Sequence, residues 1–214
     1  MTRRSPFRNA TYRLTQFSVR AIGTLVFGLR VFGAEHWPTE GGSLVCSNHQ
    51  SYFDPVIVGS CCNRRLNYLA RESLFQFFLF GWLIKWFDAI PLQREGIGIG
   101  GLKETMKRLK RGESVLIFPE GTRTLDGELQ PPQPGFCVLA RRCRVPIIPV
   151  ALDGAYQAWP KGRRYPRVSQ VQVAVGPAIT VEEVVQLTDD ELVAEVSRRL
   201  AKCLATVRTY QAGL

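Results

Sequence analysis

The segment at residues 48–54 holds a histidine and an aspartate whose types and spacing suit proton transfer. A neutral imidazole titrates near physiological pH and accepts a proton from a hydroxyl. A carboxylate on the other ring nitrogen fixes the tautomer and stabilises the imidazolium that forms. His49 and Asp54 meet only if the chain turns between them, and Gln50 and Ser51 are compatible with a turn. The pair is a candidate general base with its carboxylate; the alternative is a helix-capping aspartate beside an ordinary loop histidine.

The residues around this segment predict the elements that hold it. An apolar run at residues 41–47 predicts a buried strand. After it, Asp54 and Pro55 predict a helix start, because aspartate can cap free N–H groups and proline is tolerated in the first helical turn. His49 is therefore expected in a strand-to-helix loop, where a rigid scaffold presents catalytic side chains.

Two serines and a cysteine lie close to His49 in the chain, namely Cys46, Ser47 and Ser51. A Cys–His pair that forms an acyl-enzyme is therefore an alternative to direct attack by a substrate hydroxyl.

Cys46 and His49 also have a metal-like spacing, but no second pair completes a zinc site, so we predict no metal. The six cysteines include no CxxC pair, which favours reduced thiols.

A carboxylate and a guanidinium follow a second apolar run, at residues 114–118. Glu120 and Arg123 come directly after this predicted strand. Ligand sites in α/β sheets lie at the carboxyl ends of strands, and a planar guanidinium binds two phosphate oxygens at once. In isolation the same residues are also typical of a surface turn with a Glu–Arg pair.

Strand and helix patterns alternate through the rest of the chain, whose 214 residues favour one domain. Further strands are predicted at residues 66–70, 89–92, 145–152 and 171–175, and helices at residues 102–111 and 136–142. Two capping boxes predict the starts of the last two helices: Thr180 with Glu183, and Thr188 with Glu191. The predicted fold class is α/β, with a mixed, largely parallel central sheet flanked by helices and an N-terminal amphipathic helical segment.

The N-terminal region is strongly basic. Residues 1–30 contain six arginines and no acidic residue, in a chain of formal net charge +10. Such a charge favours polyanions, either nucleic acid or an anionic membrane. The uncharged stretch at residues 21–29 is too short to span a bilayer, which needs ~20 apolar residues. We predict a basic, membrane-associating helical segment at residues 1–38 and a catalytic domain at residues 39–214. The alternative is an amphipathic helix packed on its own domain.

Residues 73–84 form an uncharged run that is rich in Phe and Trp. As one helix, the run would span ~18 Å, well below a ~30 Å hydrocarbon core. Two interpretations stay open, a buried core helix and a surface that meets lipid or lines an acyl groove.

The glycines at residues 96–101 match the GxGxxG pattern of dinucleotide-binding folds. They follow a predicted strand and open a helix, and Glu120 comes at about the distance expected for a ribose contact. However, polar residues 93–95 intrude between strand and glycines, and Pro91 weakens the strand. We therefore predict no nucleotide cofactor.

Four sequence blocks, in this order, resemble those of the glycerolipid acyltransferases. They are Asn48-His49-x4-Asp54, Pro91-Leu92-Gln93-Arg94, Phe118-Pro119-Glu120-Gly121-Thr122-Arg123 and Val145-Pro146-Ile147-Ile148-Pro149-Val150. The chain looks most like the bacterial 1-acylglycerol-3-phosphate acyltransferases, which make phosphatidic acid. The resemblance covers about residues 40–180.

The resemblance implies a role for each block. The histidine and aspartate of the first block are the catalytic dyad of that family, and this role falls on His49 and Asp54. Arginines of the second and third blocks contact the acceptor's phosphate, and the glutamate contacts a glycerol oxygen. The implied acceptor-binding residues are Arg94, Glu120, Gly121, Thr122 and Arg123, and the implied acyl-pocket residues are Pro146 and Ile147. One departure is Pro132-Gln133-Pro134-Gly135, where the family often has Phe-Lys-x-Gly, so one lysine is missing.

The function implied by the resemblance is transfer of a fatty acyl group to the sn-2 hydroxyl of 1-acylglycerol 3-phosphate. The expected partners are a lysophospholipid acceptor, an acyl-CoA or acyl-carrier-protein donor, and an anionic membrane surface on the cytoplasmic side. Neither a cofactor nor nucleic acid is expected. The alternatives are an acyltransferase for glycerol-3-phosphate or another lysolipid, and a non-enzymatic basic protein that binds membrane or nucleic acid by charge.

Overall fold

The computed structural model describes residues 5–76, 78–92 and 98–212. Within these ranges, seven strands form one sheet in the order β1-β7-β6-β2-β5-β3-β4. The strands are β1 (Arg30–Phe32), β2 (Ser43–Ser47), β3 (Leu66–Arg71), β4 (Ala89–Leu92), β5 (Ser114–Ile117), β6 (Ile147–Asp153) and β7 (Gln172–Val175). The five strands from β6 to β4 run parallel, whereas β7 is antiparallel to β6, and β1 is parallel to β7. The predicted mixed, largely parallel sheet is confirmed.

Helices cover both faces of this sheet. In the described ranges they are α1 (Pro6–Phe27), α2 (Asp54–Cys61), α3 (Phe78–Trp86), α4 (Gly98–Lys110), α5 (Gly135–Cys143), α6 (Ala155–Ala158), α7 (Val181–Gln186) and α8 (Asp189–Ala212). Along β2, Val45 packs in the same core cluster as Val58 of α2, whereas Leu44 and Cys46 pack with residues of α4, α5, α7 and α8. Both faces of β2 are therefore buried, which explains its unbroken apolar run.

The last two helices begin where the capping boxes predict. The Thr180 side chain accepts a hydrogen bond from the Glu183 amide at 3.3 Å, and the Glu183 carboxylate accepts one from the Thr180 amide at 2.7 Å. Thr188 and Glu191 exchange the same two bonds ahead of α8. Each box supplies partners for backbone groups that the first helical turn leaves unpaired.

The first half of α1 is attached to the rest of the molecule by polar contacts. Tyr12 is buried, and its hydroxyl contacts the Tyr68 hydroxyl and accepts a bond from the Leu66 amide, both at 3.1 Å. The Gln16 amide group donates to the carbonyl of Gly59 at 2.8 Å. Arg8 forms an ion pair of 3.0 Å with the buried Asp88. This inner face matches the alternative of a helix packed on its own domain.

The outer face of α1 is apolar and exposed. Phe7, Leu14, Phe17 and Leu25 are 66–84% exposed and recur at intervals of one or two helical turns. The helix ends at Gly28, whose left-handed backbone (φ 54°) is a common helix terminus. The chain then enters β1, a strand that the sequence did not predict. Because β1 pairs with β7, residues 1–38 contribute to the same sheet as the catalytic blocks. The boundary at residue 38 stays a prediction.

The aromatic run does not form one helix. A 3-10 segment (Glu72–Gln76) is followed by α3. A Cβ atom at Gly81 would lie 2.5 Å from the Phe75 carbonyl oxygen, so the glycine permits α3 to fold closely against the 3-10 segment. Trp82 on α3 is 62% exposed and stacks on Trp86. Within the described ranges, no helix is both long enough and apolar enough to cross a membrane.

Candidate active site

The loop between β2 and α2 brings His49 and Asp54 into direct contact. His49 Nδ1 lies 2.8 Å from Asp54 Oδ2. The same oxygen accepts hydrogen bonds from the amides of Gln50 (2.6 Å) and Ser51 (2.7 Å). The carboxylate therefore closes the turn that separates it from the histidine. It does not cap α2: the N-cap position is Phe53, the residue before the helix, and no side chain forms a capping bond there.

The environment of Asp54 matters for its charge. The residue is fully buried. Burial raises the pKa of Asp54 above its ordinary value, and the hydrogen bonds from His49 and the two loop amides act in the opposite direction. Oδ1 has no hydrogen-bond partner among the described residues, so all three bonds converge on Oδ2.

The end of β5 fixes the position of His49. The imidazole stacks on the Phe118 ring, with the ring centres 3.9 Å apart and the planes at 13°. The His49 amide donates to Glu120 Oε2 at 3.3 Å, and its carbonyl accepts from the Thr124 amide at 2.8 Å. Because Nδ1 is bonded to Asp54, Nε2 is the ring nitrogen that remains for a substrate proton.

Glu120 is held beside the histidine rather than on the surface. Its side chain also accepts from the Gln130 amide at 3.4 Å. Burial raises the pKa of Glu120 to about 7, and the hydrogen bonds from Gln130 and His49 oppose this effect. Within the described ranges no ion pair joins Glu120 to Arg123, so the site differs from the surface Glu–Arg turn that the sequence left open.

Arg123 faces the loop that carries the histidine. Its guanidinium lies 3.6 Å from the centre of the Tyr52 ring. Nη1 is buried and has no hydrogen-bond partner among the described residues. The turn before it uses Gly121 in a left-handed conformation (φ 74°), and both Gly121 and Thr122 are exposed. The structure therefore brings together His49, Asp54, Glu120 and the turn that ends at Arg123.

Two side-chain amides connect this site to neighbouring elements, and the sequence reasoning missed both roles. The Asn48 amide group donates to the Leu152 carbonyl at 2.9 Å and accepts from the Leu152 amide at 2.8 Å, which joins the ends of β2 and β6. The Gln50 amide group donates to the Gly127 carbonyl at 2.8 Å. Because Asn48 and Gln50 lie on either side of His49, the sequence indicated that both are near the site. It did not indicate their hydrogen-bond partners, which lie far away in the chain.

Other predicted site residues are not brought to the histidine. Arg94 lies outside the described residues. Ile147 is fully buried and pairs with Leu44, near the start of β2, and Pro146 precedes it. Since a strand advances ~3.3 Å per residue, this pair lies roughly 10 Å before the end of β2 at Ser47, and His49 lies in the loop beyond that end. The acyl-pocket role of Pro146 and Ile147 stays a prediction to which this position adds no support.

The neighbouring nucleophile candidates are engaged elsewhere. Cys46 is fully buried, and burial raises the pKa of its thiol strongly. The Ser47 hydroxyl donates to the Asn48 carbonyl, and the Ser51 hydroxyl donates to the Trp159 carbonyl. None of the three is hydrogen-bonded to the imidazole, so the geometry favours a substrate hydroxyl as the group that His49 activates.

Comparison with known proteins identifies the family. The model of the Acyltransferase family matches residues 28–153. The chain belongs to this family. The resemblance recognised in the four sequence blocks is confirmed, and the chain is an acyltransferase.

Individual relatives extend over most of the chain. A Bacillus subtilis protein named 1-acyl-sn-glycerol-3-phosphate acyltransferase is 27% identical over 190 residues, which cover 88% of this chain and 92% of the relative. A Pseudomonas aeruginosa protein of the same name is 34% identical over 166 residues, which cover 74% of this chain and 62% of the relative. A chloroplastic relative from Brassica napus is longer, and the match spans 38% of its length.

A solved structure has the same fold. The crystal structure of the 1-acyl-sn-glycerophosphate (LPA) acyltransferase PlsC from Thermotoga maritima superposes with a TM-score of 0.83 at 23% identity. The superposition covers 97% of this acyltransferase and 84% of that chain.

Proposed function

We propose that this acyltransferase transfers a fatty acyl group from acyl-CoA or acyl-carrier protein to the sn-2 hydroxyl of 1-acylglycerol 3-phosphate, giving phosphatidic acid. The observation that carries the proposal is the His49–Asp54 pair, set at the ends of β2 and β5 beside Glu120 and Arg123. Relatives named for this activity, from bacteria and plants, support the choice of acceptor.

The proposed chemistry is direct transfer. His49 Nε2 takes the proton of the acceptor hydroxyl as its oxygen attacks the thioester carbonyl. Asp54 stabilises the imidazolium that forms, and the two loop amides hold its carboxylate in place. The new C–O bond forms as the C–S bond breaks, and the imidazolium returns its proton to the leaving thiolate. This route needs neither a covalent acyl-enzyme nor a cofactor.

Recognition of the acceptor falls to the groups after β5. The Arg123 guanidinium suits the phosphate, because its planar fork binds two oxygens at once. Glu120 suits a glycerol hydroxyl, which it can bind as a hydrogen-bond acceptor when ionised. Its pKa of about 7 means that this acceptor capacity changes near neutral pH. We retain Arg94 as a second phosphate contact, because its block matches the family pattern.

Attachment to the membrane is proposed for the outer face of α1. At 100° per residue, the exposed arginines Arg13 and Arg20 lie along one flank of the exposed apolar stripe. An apolar stripe flanked by cations is typical of helices that lie in the interface of an anionic membrane. Phe7 contacts Trp86 edge-on, and Trp86 stacks on the exposed Trp82 of α3. The aromatic run thus extends the same surface, which we place on the cytoplasmic face of the membrane.

An acceptor panel tests the proposed function. The full chain would be assayed with 1-acylglycerol 3-phosphate, glycerol-3-phosphate and lysophosphatidylcholine, each with acyl-CoA and with acyl-carrier protein as the donor. The expected result is the highest kcat/KM for 1-acylglycerol 3-phosphate. Preference for either of the other acceptors would contradict the assignment. Loss of RNA or DNA binding with rising salt, without any acyl transfer, would instead favour the charge-binding alternative.

A further inference from the structure

We infer that Tyr52 positions Arg123 for the phosphate of the acceptor. Tyr52 lies inside the loop between His49 and Asp54, at a place where the family pattern specifies no residue for chemistry. The inference depends on the proposed function, because it concerns how that acceptor is held. Tyr52 is a positioning residue in this account, since it acts through Arg123.

The Arg123 guanidinium differs from the other partly buried arginines. Arg65, Arg108 and Arg199 each donate to carboxylates or carbonyls of the protein. In the described part of the chain, no hydrogen bond or ion pair engages Arg123, and it lies over the face of Tyr52 at 3.6 Å. Its N–H donors are therefore unused by the protein, although its position is defined.

The contact with Tyr52 explains how the position of Arg123 is defined while its N–H donors stay unused. A guanidinium attracted to an aromatic ring uses its flat face, whereas its N–H groups point outward in its own plane. A hydrogen bond from a protein carboxylate would fix the group equally well, but it would occupy the donors and neutralise the charge. The ring of Tyr52 holds the cation without using its N–H donors, and Nη1 is buried with no hydrogen-bond partner among the described residues.

The Tyr52 ring also contacts a second aromatic ring, that of Trp159. Trp159 follows α6, and its ring centre is 5.0 Å from that of Tyr52. The Trp159 carbonyl accepts a hydrogen bond from the Ser51 hydroxyl at 2.8 Å, and its indole N–H donates to the Arg163 carbonyl at 2.9 Å. The Tyr52 ring is therefore braced although the residue is 46% exposed.

The arrangement connects phosphate binding to proton transfer. His49 and Tyr52 belong to one turn, and Asp54 holds this turn through its bonds to the amides of Gln50 and Ser51. The distance from the base to the phosphate-binding cation is therefore set largely within one loop. An acceptor whose phosphate binds at Arg123 would thus be held by the loop that also carries the base, and holding the reacting group near the base is the kind of positioning that raises kcat.

The test compares Tyr52→Phe with Tyr52→Leu in the full chain. Phenylalanine keeps the ring face, whereas leucine removes it at similar bulk. We expect Tyr52→Phe to stay within about twofold of wild type, and Tyr52→Leu to raise the KM for 1-acylglycerol 3-phosphate about 5- to 30-fold, the range that such a stack provides. The KM for the acyl donor should change less than twofold. Tyr165→Leu is the matched control, because Tyr165 is an exposed tyrosine that also contacts an arginine, Arg164.

A double-mutant cycle excludes a merely structural role. If Tyr52 acts through Arg123, Tyr52→Leu should have no further effect on acceptor KM in an Arg123→Gln background. Independent losses that multiply, or equal damage by Tyr52→Phe and Tyr52→Leu, would overturn the inference. The wild-type acceptor panel separates the two claims: if wild type uses 1-acylglycerol 3-phosphate and the cycle shows no coupling, the role of Tyr52 alone is wrong.

Discussion

The loop between β2 and α2, together with the turn after β5, forms the catalytic edge of the sheet. This region and the outer face of α1 depend on different kinds of interaction. At the catalytic edge, the two carboxylates are held by specific hydrogen bonds: one oxygen of Asp54 accepts three N–H groups, and each oxygen of Glu120 accepts one. The outer face of α1 has exposed apolar side chains and two flanking, exposed arginines. The first region depends on single atoms at defined distances, whereas the second depends on summed area and charge.

This difference predicts opposite responses to mutation. At the catalytic edge, removing one atom from a buried network leaves its partners unpaired or changes the charge that the reaction uses. On α1, removing one side chain subtracts a fraction of the total binding energy. Large effects of single substitutions should therefore be confined to the loop and the end of β5.

The largest effect is expected for the dyad. His49→Ala should lower kcat about 10³-fold, because it removes the base. Asp54→Asn is the sharper probe: Oδ1 has no partner among the described residues, so the amide nitrogen can occupy its place while the oxygen keeps the three bonds. We expect kcat to fall about 10²- to 10⁴-fold, because the variant loses the negative charge that stabilises the imidazolium. Near-normal turnover by either variant would contradict the assigned mechanism.

Glu120 should affect stability in a pH-dependent manner. Its pKa is raised from 4.5 to about 7 in the folded state, so the folded protein binds more protons than the unfolded chain in this window. The contribution of Glu120 to the free energy of unfolding should therefore fall as pH rises from about 4.5 through 7 and then become level. Glu120→Gln lacks this titration, and its stability relative to wild type should rise by about 2–3 kcal/mol between pH 4.5 and pH 8. Urea denaturation of both proteins at both pH values measures this difference in the free energy of unfolding. A difference that does not change with pH would show that the Glu120 carboxylate is solvated and has an ordinary pKa.

Arg123 should separate phosphate recognition from chemistry. Arg123→Lys keeps the charge but loses the fork, so the acceptor KM should rise about tenfold while the donor KM changes little. Part of the loss should appear in kcat, because a loosely held phosphate misaligns the attacking hydroxyl. Slow thioester hydrolysis without acceptor should survive. Steady-state kinetics with each substrate varied in turn measures both KM values. If Arg123→Lys lowered the rate of donor hydrolysis as much as it lowered acyl transfer to the acceptor, Arg123 would belong to the catalytic centre instead.

The smallest effects are expected on α1. Phe17→Ser and Leu25→Ser should each reduce partition into anionic vesicles by a few-fold, and the pair should reduce it roughly by the product, because apolar area adds. Val185→Ser on α7 is the control, since it removes a similarly exposed apolar group from the other face of the sheet. Sedimentation with vesicles measures the partition. Unchanged binding of the double variant would assign attachment to the aromatic surface around Trp82.

Deletion of residues 1–30 is a poor test of attachment. It would remove Arg8 from the buried Asp88 and would also remove Tyr12, which is 3% exposed. We expect the truncated chain to unfold at lower temperature than wild type. The inner face of α1 is part of the fold, so only substitutions on the outer face separate attachment from stability.

The sequence predicted the parts of the molecule that local patterns encode. The unbroken apolar run of β2 and the capping boxes at Thr180 and Thr188 indicated where these elements begin, because both signals depend on neighbouring residues. The spacing of His49 and Asp54 indicated a pair for the same reason. The strand β1 was missed because three residues carry little pattern, and its pairing with β7 is set by tertiary contacts.

The features missed at the site depend on distant partners. Phe118 as the stacking partner of His49, and Asn48 as the connection to Leu152, follow from the order of strands in the sheet. The same holds for the stack of Arg123 on Tyr52. Sequence spacing gives no distance between residues that are about 70 to 100 positions apart. Such contacts become visible only when β2 is placed between β5 and β6 in the sheet.

Trapping of a covalent intermediate tests the central claim, direct transfer with His49 as the base, most directly. The full chain would be mixed with a radiolabelled acyl donor in the absence of acceptor, quenched within milliseconds to seconds and denatured, and the protein-bound label counted. Initial rates with both substrates varied would be measured on the same preparation. We predict no stoichiometric acyl-protein and intersecting double-reciprocal lines. Labelled protein approaching one acyl group per chain, together with parallel lines, would show an acyl-enzyme and contradict the account.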